Sequence, residues 1–524
     1  VDAPTKPRIR VKAAGFNSFA MSDSLAAGLT PQPNPHHGAS VTRRMAAWRP
    51  TSSGPNAVVN ASSDELVRRS RDARRNNPMA RRSMSLLSTH TVGGGIKPRP
   101  LCKNAKVRAA LTELWADWTA VADADGVLDF YGLQALAVSE MVEAGESFCR
   151  LRTRKLSDGL PVPLQLQLIP SEQLPLSYAV PDRLNPIVQS IERNPIGKRT
   201  AYWVLPQHPG EFLTGFPAFS PTPVRVSAED VAHMYNVSRI GQLRGLPWLS
   251  AAITTLYQVN QYLDAELLRK QMVALIVGFI RKPAAEMVLP QNVQETLGPI
   301  SEAADGGPPD VAMEPGTMTY LEAGEDVVFN SPGDVGGNFD TFLTATYRTV
   351  AAGADLIYEE LTGDWSNTND RTFRAMFGTF KRTVRQWQFN LVAAQFCTPV
   401  WTRFVDYALA SGALVVPKSV NEQDLRRCEW RPERWEYLNP VQDVAATGEA
   451  IALGLTSRQA EVAERGDDIE VVDAQLADDH AREEALGLSF GTKAAAPAAI
   501  AAPDAATAAD PAQEPPPAKK GKKP

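Results

Sequence analysis

The sequence predicts an α+β chain in which helix predominates. Two long stretches, Leu249 to Leu267 and Phe373 to Leu391, carry apolar residues at three-to-four spacing, the stripe of an amphipathic helix. After Gly145 the period changes to two in "SFCRLRTR", "LQLQLIP", "NPIVQSIERN" and "TAYWVLPQ", which read as strands parted by Pro and Gly turns. With 524 residues, 44% hydrophobic and 22% charged, the chain can bury a large core divided among roughly two to four domains.

Residues 1–60, rich in Pro, Ser, Asn and Ala with few large aliphatics, read as a mobile basic arm. Order is expected to begin near "SSDELVRRSRDARRNNPMARRSMSLLSTHTVGGGI", with Ser63 as N-cap of the first helix. Asn77-Pro78 breaks it, and Gly93-Gly94-Gly95 ends a second helix. No Gly-Lys-Ser/Thr follows that triple Gly, so it is not a phosphate loop. A helical region then leads through Asp123-Ala124-Asp125-Gly126, a faint likeness of a calcium loop whose ligand ladder and terminal Glu are misplaced. The strands follow.

From Trp248 a helix is expected to run toward Ile280, with Leu249, Ile253, Leu256, Val259, Leu263 and Leu267 on one stripe. A loop-rich excursion with short strands interrupts it at Pro283, and a second helix is expected from about Phe342 to Glu360. Two helices bracketing an excursion suggest a stalk with a tip. Polar, turn-prone residues then fill "TGDWSNTND", and one long helix is expected from Arg371 to about Ala408, bent at Pro399. Its apolar side carries Phe373, Phe377, Phe380, Val384, Trp387 and Leu391. Arg371, Arg374, Lys381, Arg382 and Arg385 gather opposite, either as a solvated face or as a face meeting DNA or an acidic neighbouring subunit. Short helices follow 440, with Asn439-Pro440, Ser457 and Gly466 as boundaries. The last 34 residues, almost all Ala, Pro and charged or small polar residues, are expected to be disordered.

Several classes are disfavoured. No apolar run reaches the roughly 18 residues of a membrane span, and the first residues lack the apolar core of a secretory signal. No CxxC or HExxH spacing occurs, so Cys102, Cys149, Cys397 and Cys428 are expected to be buried reduced thiols, with no metal and no cofactor. No nucleophile elbow, Walker or zincin motif is present, and no catalytic residue is expected.

The net charge of −5 conceals an asymmetry. Residues 1–110 hold 19 Lys/Arg against 5 Asp/Glu, net +14, so the remainder carries −19. A basic N-terminal region suits nucleic acid or an acidic protein surface, whereas an acidic body repels DNA.

Seven stretches in order between about residues 40 and 487 resemble the lambda-type portal proteins of tailed bacteriophages: "WRPTSSGPN", "RSRDARRNNPMARRSMSLLSTHTVGGGI", "DADGVLDFYGLQALAVSEMVEAGESF", "GKRTAYWVLPQHPGE", "VSAEDVAHMYNVSRIGQLRGLPWLSAAI", "YEELTGDWSNTNDRTFRA" and "LGLTSRQAEVAERGDD". The resemblance implies a ring, a dodecamer at one capsid vertex, through which double-stranded DNA is packaged and ejected. It implies partners as well: other copies of the chain, the terminase large subunit, major capsid and scaffold proteins, and head-tail connector proteins. Assembly would take place in the bacterial host cytoplasm, with the ring ending in the virion.

The implied portal fold is a wing (61–247), a two-helix stem (248–281 and 338–360) around a clip (282–337), a tunnel loop (361–370), a long channel-supporting helix and wing return (371–439), and a crown side (440–490). The DNA-proximal residues would be Asp364, Trp365, Ser366, Asn367, Thr368, Asn369, Asp370 and Arg371. Arg374, Lys381, Arg382 and Arg385 would contact DNA or a neighbouring subunit. The family's Asn-Tyr-Ser-Ser-like run after Leu-Thr-Gly-Asp is replaced here by Asn367-Thr368-Asn369-Asp370-Arg371-Thr372. Two other readings stand beside this one: a non-portal DNA-binding structural protein using the basic arm, and an enzyme of an unrecognised family.

Overall fold

The structure, a computed structural model, describes residues 47–181, 184–211, 222–275, 279–281, 326–328, 339–435 and 439–488. The chain divides into Val1–Gly54 and Pro55–Pro524. In the first unit only residues 47–54 are described, and they form neither helix nor strand. Most of the expected arm, nearly all of the expected clip and the Ala/Pro tail lie outside the described residues.

Helix α1 spans Pro55–Asn76 and α2 spans Pro78–Val92. Ser63 is not an N-cap: it is buried inside α1 on a stripe with Val59, Val67 and Ser70. Proline pre-set for the first helical position starts this helix at Pro55, nine residues earlier than expected. The break at 77 is as expected, since Asn77 Oδ1 accepts the Ala80 N–H at 3.0 Å and Pro78 opens α2. Strand β1 (Lys97–Pro100), helices α3 (Ala105–Thr119) and α4 (Phe130–Ala144), then strands β2 (Glu146–Thr153) and β3 (Leu164–Ile169) follow. Strands β4 (Ile187–Val188), β5 (Ile191–Arg193), β6 (Arg199–Val204), β7 (Val224–Ser227) and β8 (Val231–Tyr235) complete the first part.

Two sheets result, an antiparallel β3-β2-β8 and a four-stranded β4-β5-β6-β7. Helix α4 packs on β2, and the main core spreads from there through Trp115, Trp118, Phe130, Phe396, Trp401 and Phe404. A second cluster, including Phe148, Ile191, Tyr202 and Val226, fills the space between the sheets.

A buried polar group joins these sheets. Glu146, 2% exposed, is held by Arg244, 1% exposed, and its Oε2 accepts from His233 Nε2 at 3.0 Å. Arg199 Nη1 donates to His233 Nδ1 at 2.8 Å, so the imidazole is neutral with its proton on Nε2. Gly145 (φ +92°) and Gly245 let two backbones touch here, since a Cβ on Gly145 would lie 2.2 Å from the Leu246 carbonyl carbon.

Helix α5 (Ile253–Leu275) follows a 3-10 turn at Trp248–Ala251. Ile280 lies not in this helix but in strand β9 (Phe279–Arg281), which pairs antiparallel with β10 (Asp326–Val328). The apolar stripe is buried at Leu249, Ile253, Leu256 and Val259, whereas Leu267 is exposed. Helix α6 (Phe339–Gly353) runs antiparallel to α5: Tyr262 packs on Phe339 and Phe342, and Gly353 lies against Ala252. It stops seven residues before Glu360. The chain turns at Ala354 and Asp355, the latter with φ of +55°, so that Leu356 and Ile357 enter the core, Ile357 in extended backbone. A short helix α7 (Tyr358–Thr362) follows.

Helix α8 (Asp370–Trp387) continues through a π-helical stretch, Gln388–Cys397, into α9 (Thr398–Ser411). The expected long helix is therefore continuous, but its middle is wound more widely. Proline cannot donate to, and clashes with, the carbonyl four residues back; Pro399 is the second residue after this wider segment. Helix α10 (Glu422–Leu425) and strand β11 (Cys428–Arg431) return the chain to β1, with Lys97 opposite Arg431. Helices α11 (Pro440–Ala452), α12 (Arg458–Glu464) and α13 (Ile469–Leu486) end the described chain and bury none of their own residues. Cys102, Cys149 and Cys397 are buried and Cys428 half-buried, all as free thiols.

Candidate functional site

The residues between α7 and α8 form a sequence of short local bonds. Gly363, in the left-handed region at φ +75°, ends α7 and donates its N–H to Glu359 O at 2.8 Å, a position where a side chain would be strained. Asp364 N–H donates to Thr362 Oγ1 at 3.2 Å. Asp364 Oδ1 accepts from Ser366 Oγ at 2.6 Å and from Ser366 N–H at 3.1 Å. These two bonds hold the exposed Asp364 carboxyl below its ordinary range. Thr368 N–H closes a turn onto Trp365 O. Asn369 Oδ1 then accepts the Thr372 N–H at 2.8 Å, so the next helix is capped at Asn369 and opens with Asp370 rather than Arg371.

Trp365, 46% exposed, is tied to the interior by an aromatic ladder. It meets Phe373 edge-on at 5.3 Å, Phe373 stacks on Phe377 at 5.1 Å, and Phe377 meets Trp435 edge-on at 5.1 Å. Trp435 stacks on His90 at 5.2 Å, and His90 abuts the buried Phe380. Offset and edge-on pairs of this kind are worth roughly 0.5–1.5 kcal/mol each beyond their buried area. A second tether comes from α2, where Arg82 Nε donates to Glu360 O at 2.9 Å.

The basic side of α8 meets acid from the same chain. Arg374, Lys381, Arg382 and Arg385 line a cleft of 690 Å³ whose other walls carry Glu433, Asp443, Glu461 and Glu464. Arg385 Nη2 lies 3.1 Å from Glu464 Oε1, and Arg374 Nε lies 3.1 Å from Asp370 Oδ2. Lys381 sits over the rings of Phe377 and Trp435; burial lowers its ammonium below the ordinary value. Arg371 is exposed and outside the cleft. Of the expected basic face, four residues are brought together and one is not.

Sequence reading missed Trp435, Arg82 and the acids of α11 and α12. The segment "WRPERWE", with Trp alternating with Arg and Glu, was the available signal for the first. Asp123 has a local role: its carboxylate accepts the N–H groups of Asp125, Val127 and Leu128, each at 3.0 Å. These bonds, opposed by burial, lower its ordinary range. Among the described residues no group of three or more His, Cys, Asp or Glu side chains could hold a metal, and no helix is long and apolar enough to cross a membrane.

A family model described as "Phage portal protein, lambda family" matches residues 41–388. The "Probable portal protein" of Halomonas phage phiHAP-1 is 24% identical over 464 residues, covering 85% of this chain and 86% of that one. "Portal protein B" of Escherichia phage lambda is 20% identical over 490 residues, covering 85% and 89%. Among solved structures, a chain from the neck of an empty GTA particle aligns with a TM-score of 0.42 at 16% identity, over 82% of this chain and 98% of that chain. A chain from the virion of a native gene transfer agent particle aligns with a TM-score of 0.42 at 17% identity, over 82% and 99%.

Proposed function

The chain belongs to the lambda family of phage portal proteins, and from that membership we propose that copies of it form a ring at one capsid vertex through which double-stranded DNA is packaged and ejected. The family match over residues 41–388 carries this reading. In it, α5 and α6 are the stem, α1 to β8 with the two sheets the wing, and α11 to α13 the crown side. The bonded turn between Gly363 and Asn369 is the part that stands beside DNA. The ring would sit in the virion after assembly in the host, as a structural and translocation component with no catalytic residue. Terminase, capsid, scaffold and connector proteins would be its partners.

Charge supports the reading. Duplex DNA carries one negative charge per about 1.7 Å of axis, so a uniformly basic tunnel would hold it fast. Outside its first 110 residues this chain carries −19, and the basic face of α8 is largely answered by acids of its own C-terminal helices. A loop presenting Asp364, Ser366, Asn367 and the edge of Trp365 offers DNA polar contacts of low net charge. Exposed Val441, Leu453 and Leu455 on and after α11 leave apolar surface that adjoining copies would cover.

Negative-stain microscopy of the purified protein tests the ring: rings with a central hole are expected, and monodisperse monomers would overturn it. Replacing Trp365 to Thr368 by Gly-Ser-Gly-Ser tests the loop. Rings should persist while packaged DNA per particle falls sharply; undiminished packaging would remove the loop from the DNA path.

A further inference from the structure

We propose that α1, α2 and α4 form a second nucleic-acid site, which binds the phosphate backbone through Arg74, Arg75 and Arg81. The N-terminal helices carry a surplus of arginine, and the structure shows how most of it is spent. Arg68 and Arg69 lie beside Glu65. Arg71 is held by Glu140, Glu143 and Glu172, and Arg82 caps Glu360 O. Arg75 and Arg81 have no acidic partner among the described residues, and both open into one cleft of 620 Å³ between these helices.

Arg81 stands near the N-terminus of α2, where the helix dipole disfavours a cation and where no acid offsets it. An anion brought from outside would offset both the guanidinium and the helix dipole there. Arg74, in the last turn of α1, is half neutralised: its Nη1 donates to Glu143 Oε2 at 2.6 Å and to Ser139 Oγ at 2.8 Å, which fixes the guanidinium on the cleft wall.

The lining decides between anions. Beside the arginines it presents the hydroxyls of Ser85, Ser88, Thr89 and Ser139 and one carboxylate, Glu143, already bonded to Arg74, and not one aliphatic or aromatic side chain. A protein partner is anchored by apolar or aromatic groups at the centre of its interface, and this cleft offers none. Separated guanidinium and hydroxyl donors instead suit the repeated oxygens of a phosphodiester chain, the sequence-independent part of nucleic-acid binding. No residue of the Gly363–Asn369 loop lines this cleft, and the inference holds whether or not copies of the chain form a ring.

The test is the salt dependence of binding of the full-length protein to a fluorescent duplex of about 20 base pairs, between about 50 and 200 mM salt. Arg75→Glu/Arg81→Glu should weaken binding about tenfold or more and flatten the slope of log K against log salt by about 2, near 0.9 per phosphate lost. Arg68→Glu/Arg69→Glu, an equal charge change outside the cleft, should leave the slope near wild type. If the cleft pair loses the wild-type melting temperature, Arg75→Gln/Arg81→Gln supplies the same measurement. An unchanged slope in the cleft variants, an equal loss in the control, no duplex binding by the wild type, or equally salt-sensitive binding of polyglutamate would each overturn the assignment.

Discussion

Glu146 and Arg244 meet at 2.6 Å with only 2% of either side chain exposed. The guanidinium also donates to the carbonyl oxygens of Leu174 and Gln189, both at 3.0 Å, so it ties β2 to the strand-and-turn region that begins the four-stranded sheet. Removing one partner of such a pair strands a buried charge, which costs about 3–5 kcal/mol. Arg244→Met should therefore lower the urea midpoint strongly, while Glu146→Gln/Arg244→Met together should recover part of the loss. A single variant of near wild-type stability would show the pair to be incidental.

The same cluster makes stability sensitive to acid in two steps. Burial pulls the His233 imidazole down from 6.5 to about 4, with the bond to Glu146 opposing. The unfolded chain therefore binds a proton that the folded chain refuses between these values, and stability falls as pH drops from 6.5 to 4. Burial alone would raise Glu146, but the Arg244 charge and the His233 bond outweigh it and hold the carboxyl at about 2. Its contribution is complete above 4.5 and is lost as pH falls from there through 2. The upper step is worth about 3 kcal/mol at most. Denaturation midpoints against pH should show both, and His233→Gln should flatten the upper one; a flat wild-type profile from pH 7 to 4.5 would count against it.

Two glycines with the same backbone sign should respond differently to alanine. Gly145 and Gly197 have φ of +92° and +86°, yet only Gly145 has another backbone against it. Gly197→Ala should cost about 1 kcal/mol from left-handed strain alone. Gly145→Ala adds overpacking and should cost about 3 kcal/mol or more. Similar melting temperatures for the two variants would mean that the strand-loop contact can yield.

These positions show what a single sequence makes legible. Asn77-Pro78, Gly93, Ser457 and the alternation in "SFCRLRTR" declare themselves because capping and pleating are local, and each found its element. Strands β1, β7, β8 and β11 are four or five residues long, and β1 with β11 pair across more than three hundred residues, so no local pattern marks them. The end of α6 was hidden by helix-compatible residues: Ala354 and Asp355 turn only because Leu356 and Ile357 gain a core position. The loop could be read from its turn chemistry, whereas the acids opposite Lys381 and Arg385 are set by folding and not by spacing along α8.

The loop's exit depends on one cap. Asn369→Ala removes the acceptor for Thr372 N–H and should cost about 1 kcal/mol, confined to the first turn of α8. Hydrogen exchange at Thr372 and Phe373 should accelerate while the Gln388–Cys397 stretch is unaffected. Asn369→Asp should restore protection, since a carboxylate caps equally well and suits the positive end of the helix.

The C-terminal helices should be the first part to loosen in salt. α11, α12 and α13 bury no residue of their own, so little hydrophobic area holds them. Three ion pairs attach them to the body: Arg99 Nε to Asp468 Oδ2 at 3.1 Å, Arg108 Nη2 to Glu470 Oε1 at 2.6 Å, and Arg385 Nη2 to Glu464 Oε1 at 3.1 Å. Arg431 adds a bond to Asp467 O. Arg385–Glu464 is exposed on both sides while the other two are part-buried; exposed pairs contribute about 0–1 kcal/mol each, and at about 1 M salt the screening length falls to about 3 Å. Raising salt to that level should increase exchange and protease cleavage across residues 440–486 while leaving α4 and β2 protected. Arg108→Ala/Arg385→Ala should reproduce the loosening at low salt. If salt leaves the segment as protected as the core, its hold comes from apolar contact with other copies of the chain, and the double variant should then be silent as well.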